Sequence, residues 1–219
     1  MERFLCGRLV LGTLAILLFQ GAAAKADFTL MPLGDSLTAG YTVPGGYRTR
    51  LYTDLQSAGY AFTFVGSSRD YPSSVLTAAG QTHHEGHPGY TLTQTANNLD
   101  GNDGSGGNNG GFWFHKPAPP KVILLQGGGP DINLQGASAS TAAARMDKLI
   151  GQIVADSPTS LLFVSNSSPL ANASTNMVIQ DFNTQIRDVI IPFPRTAMHD
   201  WSGAPPDRVL RPFSFRHHR

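Results

Sequence analysis

Phe28-Thr29-Leu30-Met31-Pro32-Leu33-Gly34-Asp35-Ser36-Leu37-Thr38-Ala39-Gly40-Tyr41 is the stretch on which the reading of this 219-residue chain turns. Its first six residues are an apolar, strand-like run, and the run breaks at Gly34-Asp35-Ser36 into small and polar residues. A strand that ends in such a turn and leads on to a helix is the opening unit of an α/β domain. The pattern downstream repeats that rhythm. Tyr47 to Ala58 carries apolar residues at 47, 51, 52 and 55, the stripe of an amphipathic helix. Ala61 to Val65 predicts a short strand, Thr91 to Leu99 a helix, and Lys121 to Gln126 a strand covered on both faces. Ala137 to Ala155 predicts a helix that buries Met146, Leu149, Ile150 and Ile153; Ser160 to Val164 predicts a strand and Asn176 to Ile190 a last helix. Strands alternating with helices imply parallel crossovers, hence a mostly parallel sheet in a three-layer α/β/α domain. Residues 69–90 read as a long polar loop, and residues 100–111, rich in Gly and Asn, as an insertion unable to pack a core.

Working outward to the termini, Arg3 and Arg8 precede an apolar run from Leu9 to Phe19, followed by small residues ending Ala24-Lys25-Ala26. This is the pattern of a removable signal peptide over 1–26 and predicts a secreted protein; the alternative is an uncleaved anchor. The only cysteine, Cys6, lies within that segment. Without it, 13 basic residues face 14 acidic ones, a balance that recruits neither nucleic acid nor an acidic surface. With 41% hydrophobic and 14% charged residues, the composition excludes coiled coil, disulfide scaffold and disordered polyelectrolyte. Asn166-Ser167-Ser168 and Asn172-Ala173-Ser174 match the glycosylation acceptor pattern.

In parallel sheets, ligands bind at the carboxyl ends of the strands, which puts Ser36 where a nucleophile would stand. Its hydroxyl and its own N–H can face one point, as an ester-cleaving serine requires. The plainer alternative is that Asp35 or Ser36 caps the following helix. The chain resembles the GDSL (SGNH) hydrolase family through Gly34-Asp35-Ser36-Leu37. It resembles the acetylxylan-esterase-like branch of that family, carbohydrate esterase family three, through Gly45-Gly46-Tyr47-Arg48-x-x-Leu51 and His84-Glu85-Gly86-His87-Pro88-Gly89-Tyr90-Thr91. The resemblance extends from about Thr29 to Ile186. It implies a flavodoxin-like α/β/α esterase in which Ser36 attacks an ester carbonyl. The N–H groups of Ser36 and Gly89 and a third-block asparagine amide would bind the oxyanion, and a histidine three residues after an aspartate would activate the serine. No cofactor and no metal are implied. The substrate class is an acetylated polysaccharide or a small ester, and a monomer with no membrane contact after signal cleavage is expected.

Two positions depart from that pattern. The third block, Gly128-Gly129-Pro130-Asp131, has Pro130 where the asparagine should be, and proline offers neither a side-chain donor nor an N–H. Asn133 stands three residues on and would need a rearranged loop to serve instead. The Asp-x-x-His spacing occurs nowhere in the chain, which leaves His199, beside Asp200, as the candidate base, with His217 and His218 further on. His83, His84, His87 and Glu85 read as residues that order their loop rather than as a metal site, because no second cluster completes a tetrahedron. The boundaries expected are a signal segment over 1–26, an esterase domain over 27–187 and a Pro/Arg-rich tail over 188–219. The tail is expected to be a divergent or out-of-frame replacement of the family's last strand and helix, which leaves the C-terminal end of the fold incomplete. Two functions compete: an active secreted esterase deacetylating plant-wall polysaccharide, and a catalytically impaired homologue that retains a carbohydrate-binding face.

Overall fold

A computed structural model describes residues 27–99, 113–114 and 119–190, with backbone only at 188–190. The expected signal segment, the Gly/Asn-rich insertion, His199 and nearly all of the tail lie outside the described residues.

Among the described residues five strands, β1 (Phe28–Gly34), β2 (Phe62–Phe64), β3 (Glu85–Gly86), β4 (Val122–Gln126) and β5 (Leu161–Val164), form one sheet in which every pair is parallel. The order is β2-β1-β4-β5, so β1 is central. Along its outer side β2 pairs with Phe28 to Leu30 and β3 with Leu33 and Gly34. The two-residue period sorts the side chains. Met31, Leu33, Ile123 and Leu125 face one core with α4 (Leu92–Leu99), α6 (Ala139–Asp156) and α7 (Ala173–Ile190). Leu30, Val122 and Leu124 face the other, with α2 (Gly46–Ser57) and α3 (Ser74–Ala78). Three layers result, as the sequence implies.

The long helices follow their stripes. Met146, Leu149, Ile150 and Ile153 of α6 are all buried, joined by Ala139, Ala142 and Ala143, and Ser138 caps the helix by accepting from Thr141 N–H. At the start of α4, Thr91 and Gln94 form a reciprocal capping box: Gln94 N–H donates to Thr91 Oγ1 and Thr91 N–H to Gln94 Oε1. Asn172 Oδ1 accepts from Thr175 N–H at the start of α7. That helix begins three residues before the expected Asn176 and ends three past the expected domain limit at 187. No described helix is long and apolar enough to cross a membrane.

The expected loop over 69–90 is corrected: it contains α3 and β3, and Ser68 and His84 form an antiparallel bridge. Both elements are too short for a hydrophobic period to register. α3 buries a single large side chain, Leu76, and is started by Ser73, whose hydroxyl accepts from Leu76 N–H. Further along, the Gln81 side-chain amide lies against β2, accepting from Phe64 N–H at 2.7 Å and donating to the Phe62 carbonyl at 3.3 Å. In α2 the expected stripe Tyr47, Leu51, Tyr52 and Leu55 is only half-buried, and the one fully buried residue is Arg48.

Candidate active site

Gly34, Gly86 and Gln126 end three adjacent strands in register with one another, Gly34 pairing with both of the others. Backbones approach there more closely than side chains allow. A Cβ on Gly34, whose φ is +155°, would lie 1.9 Å from the Gln126 carbonyl oxygen, and one on Gly86 would lie 2.3 Å from Ala39 N. The turns after β1, β3 and β4 therefore leave the same edge of the sheet side by side.

After β1 the chain enters α1 (Ser36–Ala39), a single turn. Asp35 is its cap, accepting from Leu37 N–H at 2.9 Å, and Gly40 closes it in the left-handed conformation. Capping thus falls to Asp35, and Ser36, half-buried at the first helical position, has no hydrogen-bond partner for its hydroxyl among the described residues. Its N–H, as the first of a helix, has no intrahelical acceptor. After β3, His87-Pro88-Gly89-Tyr90 forms a tight turn closed by Tyr90 N–H to the His87 carbonyl at 3.1 Å. Pro88 precedes Gly89, whose φ of +82° is what the third position of a type II turn requires. Gly89 is exposed, and a Cβ there would meet open space. This turn is tied to β1 by His87 N–H to the Gly34 carbonyl at 2.9 Å.

After β4 comes α5 (Gly129–Asn133), which the sequence reading missed. Pro130 is buried in its first turn, where a missing N–H costs nothing. Residue 130 thus presents no donor, and Asn133 ends α5 with its side chain exposed. Asp131, fully buried, accepts from Leu92 N–H at 2.9 Å and from Arg145 Nη1 at 2.8 Å, fastening α4 and α6 to this turn.

The three described histidines are engaged elsewhere. His83 Nδ1 contacts the Gly66 carbonyl at 2.9 Å. His84 accepts from Gly86 N–H at Nδ1 and donates from Nε2 to the Asp70 carbonyl, both at 2.9 Å. Burial, with the nearby Arg48 charge, pulls its pKa down to about 3, so it stays neutral. His87 stacks against both Tyr90 and Trp113, with ring centroids 4.8 and 4.6 Å away, and its Nε2 is 3.0 Å from Glu85 Oε2. Glu85 is also held by Ser67, through both its N–H and its hydroxyl. Among the described residues, no cluster of His, Cys, Asp and Glu is arranged to hold a metal ion.

Arg48 was visible in the Gly-Gly-Tyr-Arg motif but its role was not. Fully buried, it donates to the carbonyls of Thr38 at 2.9 Å, Ala39 at 2.8 Å, Thr82 at 3.1 Å and, more distantly, Asp70 at 3.5 Å. It ties the end of α1 to the segment before β3.

Asp35 is nearly fully buried, and that burial pushes its carboxyl up to about 6. The Leu37 N–H opposes the rise, the Asp131 charge adds to it, and the Gln126 amide opposes it again. An unfolded aspartate ionises near 3.8, so between about pH 3.8 and 6 the folded protein binds more protons than the unfolded chain. The stabilisation from neutral Asp35 is complete below 3.8 and lost as pH rises through 6, a change of about 2–3 kcal/mol. His84 has the opposite sign: its depressed pKa contributes stability above about 6.5 that is lost as pH falls toward 3. Asp35→Asn removes one of the two slopes. Urea midpoints measured from pH 4 to 8 are expected to show that Asp35→Asn gains on the parent as pH rises from 4 to 7. Parallel curves for the two proteins would refute the elevated carboxyl.

No protein-family profile matches the chain. Among curated proteins, the multidomain esterase of Ruminococcus flavefaciens is 28% identical over 179 residues; the match takes in 77% of this chain and 23% of that protein, so the chain spans about a quarter of its length. The fold is shared with a carbohydrate esterase family 3 structure from Talaromyces cellulolyticus, at 21% identity and a TM-score of 0.59, covering 76% of this chain and 73% of that one. The family 3 carbohydrate esterase of Clostridium thermocellum is 33% identical, with a TM-score of 0.61, over 76% of this chain and 72% of that one. A likeness of that degree and extent, on a parallel sheet with Gly34-Asp35-Ser36-Leu37 at the end of its central strand, places the chain in carbohydrate esterase family 3, within the GDSL hydrolases.

Proposed function

We propose that the chain is a secreted serine esterase that deacetylates a plant-wall polysaccharide of the acetylxylan kind, with Ser36 as nucleophile. One observation carries this reading: the Ser36 hydroxyl is unengaged among the described residues at the start of α1, because Asp35 has taken over the capping. In the proposed reaction, Ser36 Oγ attacks the ester carbonyl and passes its proton to a base. The tetrahedral oxyanion is met by the N–H groups of Ser36 and Gly89, and the sugar alcohol leaves with the proton. Water then releases acetate from the acyl-serine, and no other co-reactant is needed. His199, which stands beside Asp200 in the sequence, is the proposed base; the described histidines, His83, His84 and His87, are each held by other partners. The enzyme is proposed to act as a monomer.

Pro130 favours slow turnover, since loss of one oxyanion donor costs about 10²–10³ in rate in comparable sites. It also supports a second reading, a homologue that binds acetylated polysaccharide without cleaving it. Hydrolysis of 4-nitrophenyl acetate separates the two. The parent is expected to exceed the buffer rate, and Ser36→Ala to fall by about tenfold or more, to background. Equal background rates for both proteins would reject the esterase, and retention on acetylated xylan without acetate release would then support the second reading.

A further inference from the structure

We propose that Tyr41 and Tyr71 form the sugar-binding platform beside Ser36, a stacking surface for pyranose rings that flank the esterified residue of the polysaccharide. The proposal rests on the reading of Ser36 as the nucleophile of a carbohydrate esterase. The two rings meet edge to face, with centroids 5.3 Å apart and planes at 80°, yet Tyr41 is 57% and Tyr71 41% exposed. Leu37 and Val43, which flank Tyr41 in the sequence, are exposed too, at 38% and 64%. Edge-to-face packing covers only one ring face, so aromatic faces stay open to the outside. A pyranose is amphipathic in a matching way: its axial C–H groups lie against an aromatic face while its hydroxyls remain hydrated or bond to polar neighbours. Arg69 and Asp70, both exposed, directly precede Tyr71 and supply such neighbours.

The backbone holds the pair in fixed relation to the nucleophile. Tyr41 N–H donates to the Ser36 carbonyl at 3.0 Å across the closing turn of α1, so Tyr41 starts one helical turn from Ser36. Tyr71 is the one non-glycine among the described residues with positive φ, at +50°. A bulky side chain adopts that conformation only where its surroundings impose it. Here they do. The Tyr71 carbonyl accepts from Gly45 N–H at 2.7 Å, and the preceding Asp70 carbonyl accepts from His84 Nε2 at 2.9 Å and Arg48 Nη2 at 3.5 Å. Arg48 holds the Thr38 and Ala39 carbonyls as well, so one buried guanidinium anchors the segments that carry both tyrosines. A platform ordered in advance binds a flexible sugar chain without the entropic cost of arranging itself.

The test is affinity electrophoresis through gels containing acetylated xylan, in the Ser36→Ala background so that the ligand is not consumed. Ser36→Ala is expected to be retarded, and adding Tyr41→Ala and Tyr71→Ala to weaken association by about tenfold. Tyr41→Phe with Tyr71→Phe, which keeps the rings, is expected to retain most of it. Tyr41→Ser alone serves as the second variant if the double alanine protein does not unfold cooperatively. Unchanged retardation on losing the rings, or no retardation of Ser36→Ala, would overturn the platform. So would a dimer that dissociates when the tyrosines are replaced, since the patch would then serve a second copy of the chain. Nitrophenyl acetate hydrolysis by the parent against Ser36→Ala tests the nucleophile separately. Serine-dependent hydrolysis with tyrosine-independent binding removes only the platform, and tyrosine-dependent binding without hydrolysis removes only the esterase reading.

Discussion

Gly34→Ala is expected to abolish folding, at a cost of more than about 4 kcal/mol against a total stability of about 5–15 kcal/mol. The new Cβ would sit 1.9 Å from the Gln126 carbonyl oxygen and 2.7 Å from Thr38 Oγ1, on a backbone whose φ of +155° already disfavours any side chain. The hydroxyl could turn away. The carbonyl cannot, because Gln126 belongs to β4 and pairs in register with Gly34 itself. Relief would require β1 and β4 to part where the Ser36 turn leaves the sheet. Urea titration followed by tryptophan fluorescence should show no cooperative transition for this variant. A midpoint equal to the parent's would mean that β1 and β4 do not approach each other as described.

Arg48→Met is expected to cost about 4 kcal/mol. Hydrogen bonds from a charged donor are worth about 1.5–3 kcal/mol each, and two of the carbonyls Arg48 serves, those of Thr38 and Ala39, lie on buried residues with no turn of helix beyond to satisfy them. Part of that loss is offset, since the guanidinium is itself desolvated, its pKa drawn down to about 10, and its removal recovers that penalty. Arg48→Lys keeps the charge but not the fork that reaches several carbonyls at once, so it should fall between parent and Met. Denaturant midpoints in that order would establish the clamp; a Met variant within 1 kcal/mol of the parent would refute it.

The elements legible in the sequence were those long enough to repeat. α6 shows four turns of apolar spacing, and β4 up to Leu125 and the whole of β5 are uninterrupted apolar runs whose only reasonable home is a covered sheet. α1, α3, β3 and α5 each span five residues or fewer, and what makes them is a carboxylate or hydroxyl cap or a left-handed glycine at their ends or, for β3, pairing with a strand far away in the chain. No periodicity announces such elements. The place of Ser36 in the turn after β1 was legible because a small polar turn after an apolar strand is itself a signal, and the lack of a donor at Pro130 was legible because proline has no N–H at all. Arg48 was not. A cation in an amphipathic stretch reads as solvent-facing, and only the folded chain shows that four backbone carbonyls converge to receive it.

The Gln81 amide against β2 also bears on how the protein behaves in a crowd. A strand at the border of a sheet offers unpaired N–H and carbonyl groups to any passing chain, which is how folded proteins recruit one another into aggregates. Here the Phe64 N–H and the Phe62 carbonyl are already taken by a side chain that imitates a peptide group. On that side the border is divided between three residues of β2 and two of β3, so no continuous template remains for a foreign strand to extend. A single glutamine thus guards an aromatic strand, Phe62-Thr63-Phe64, whose composition would otherwise favour self-association.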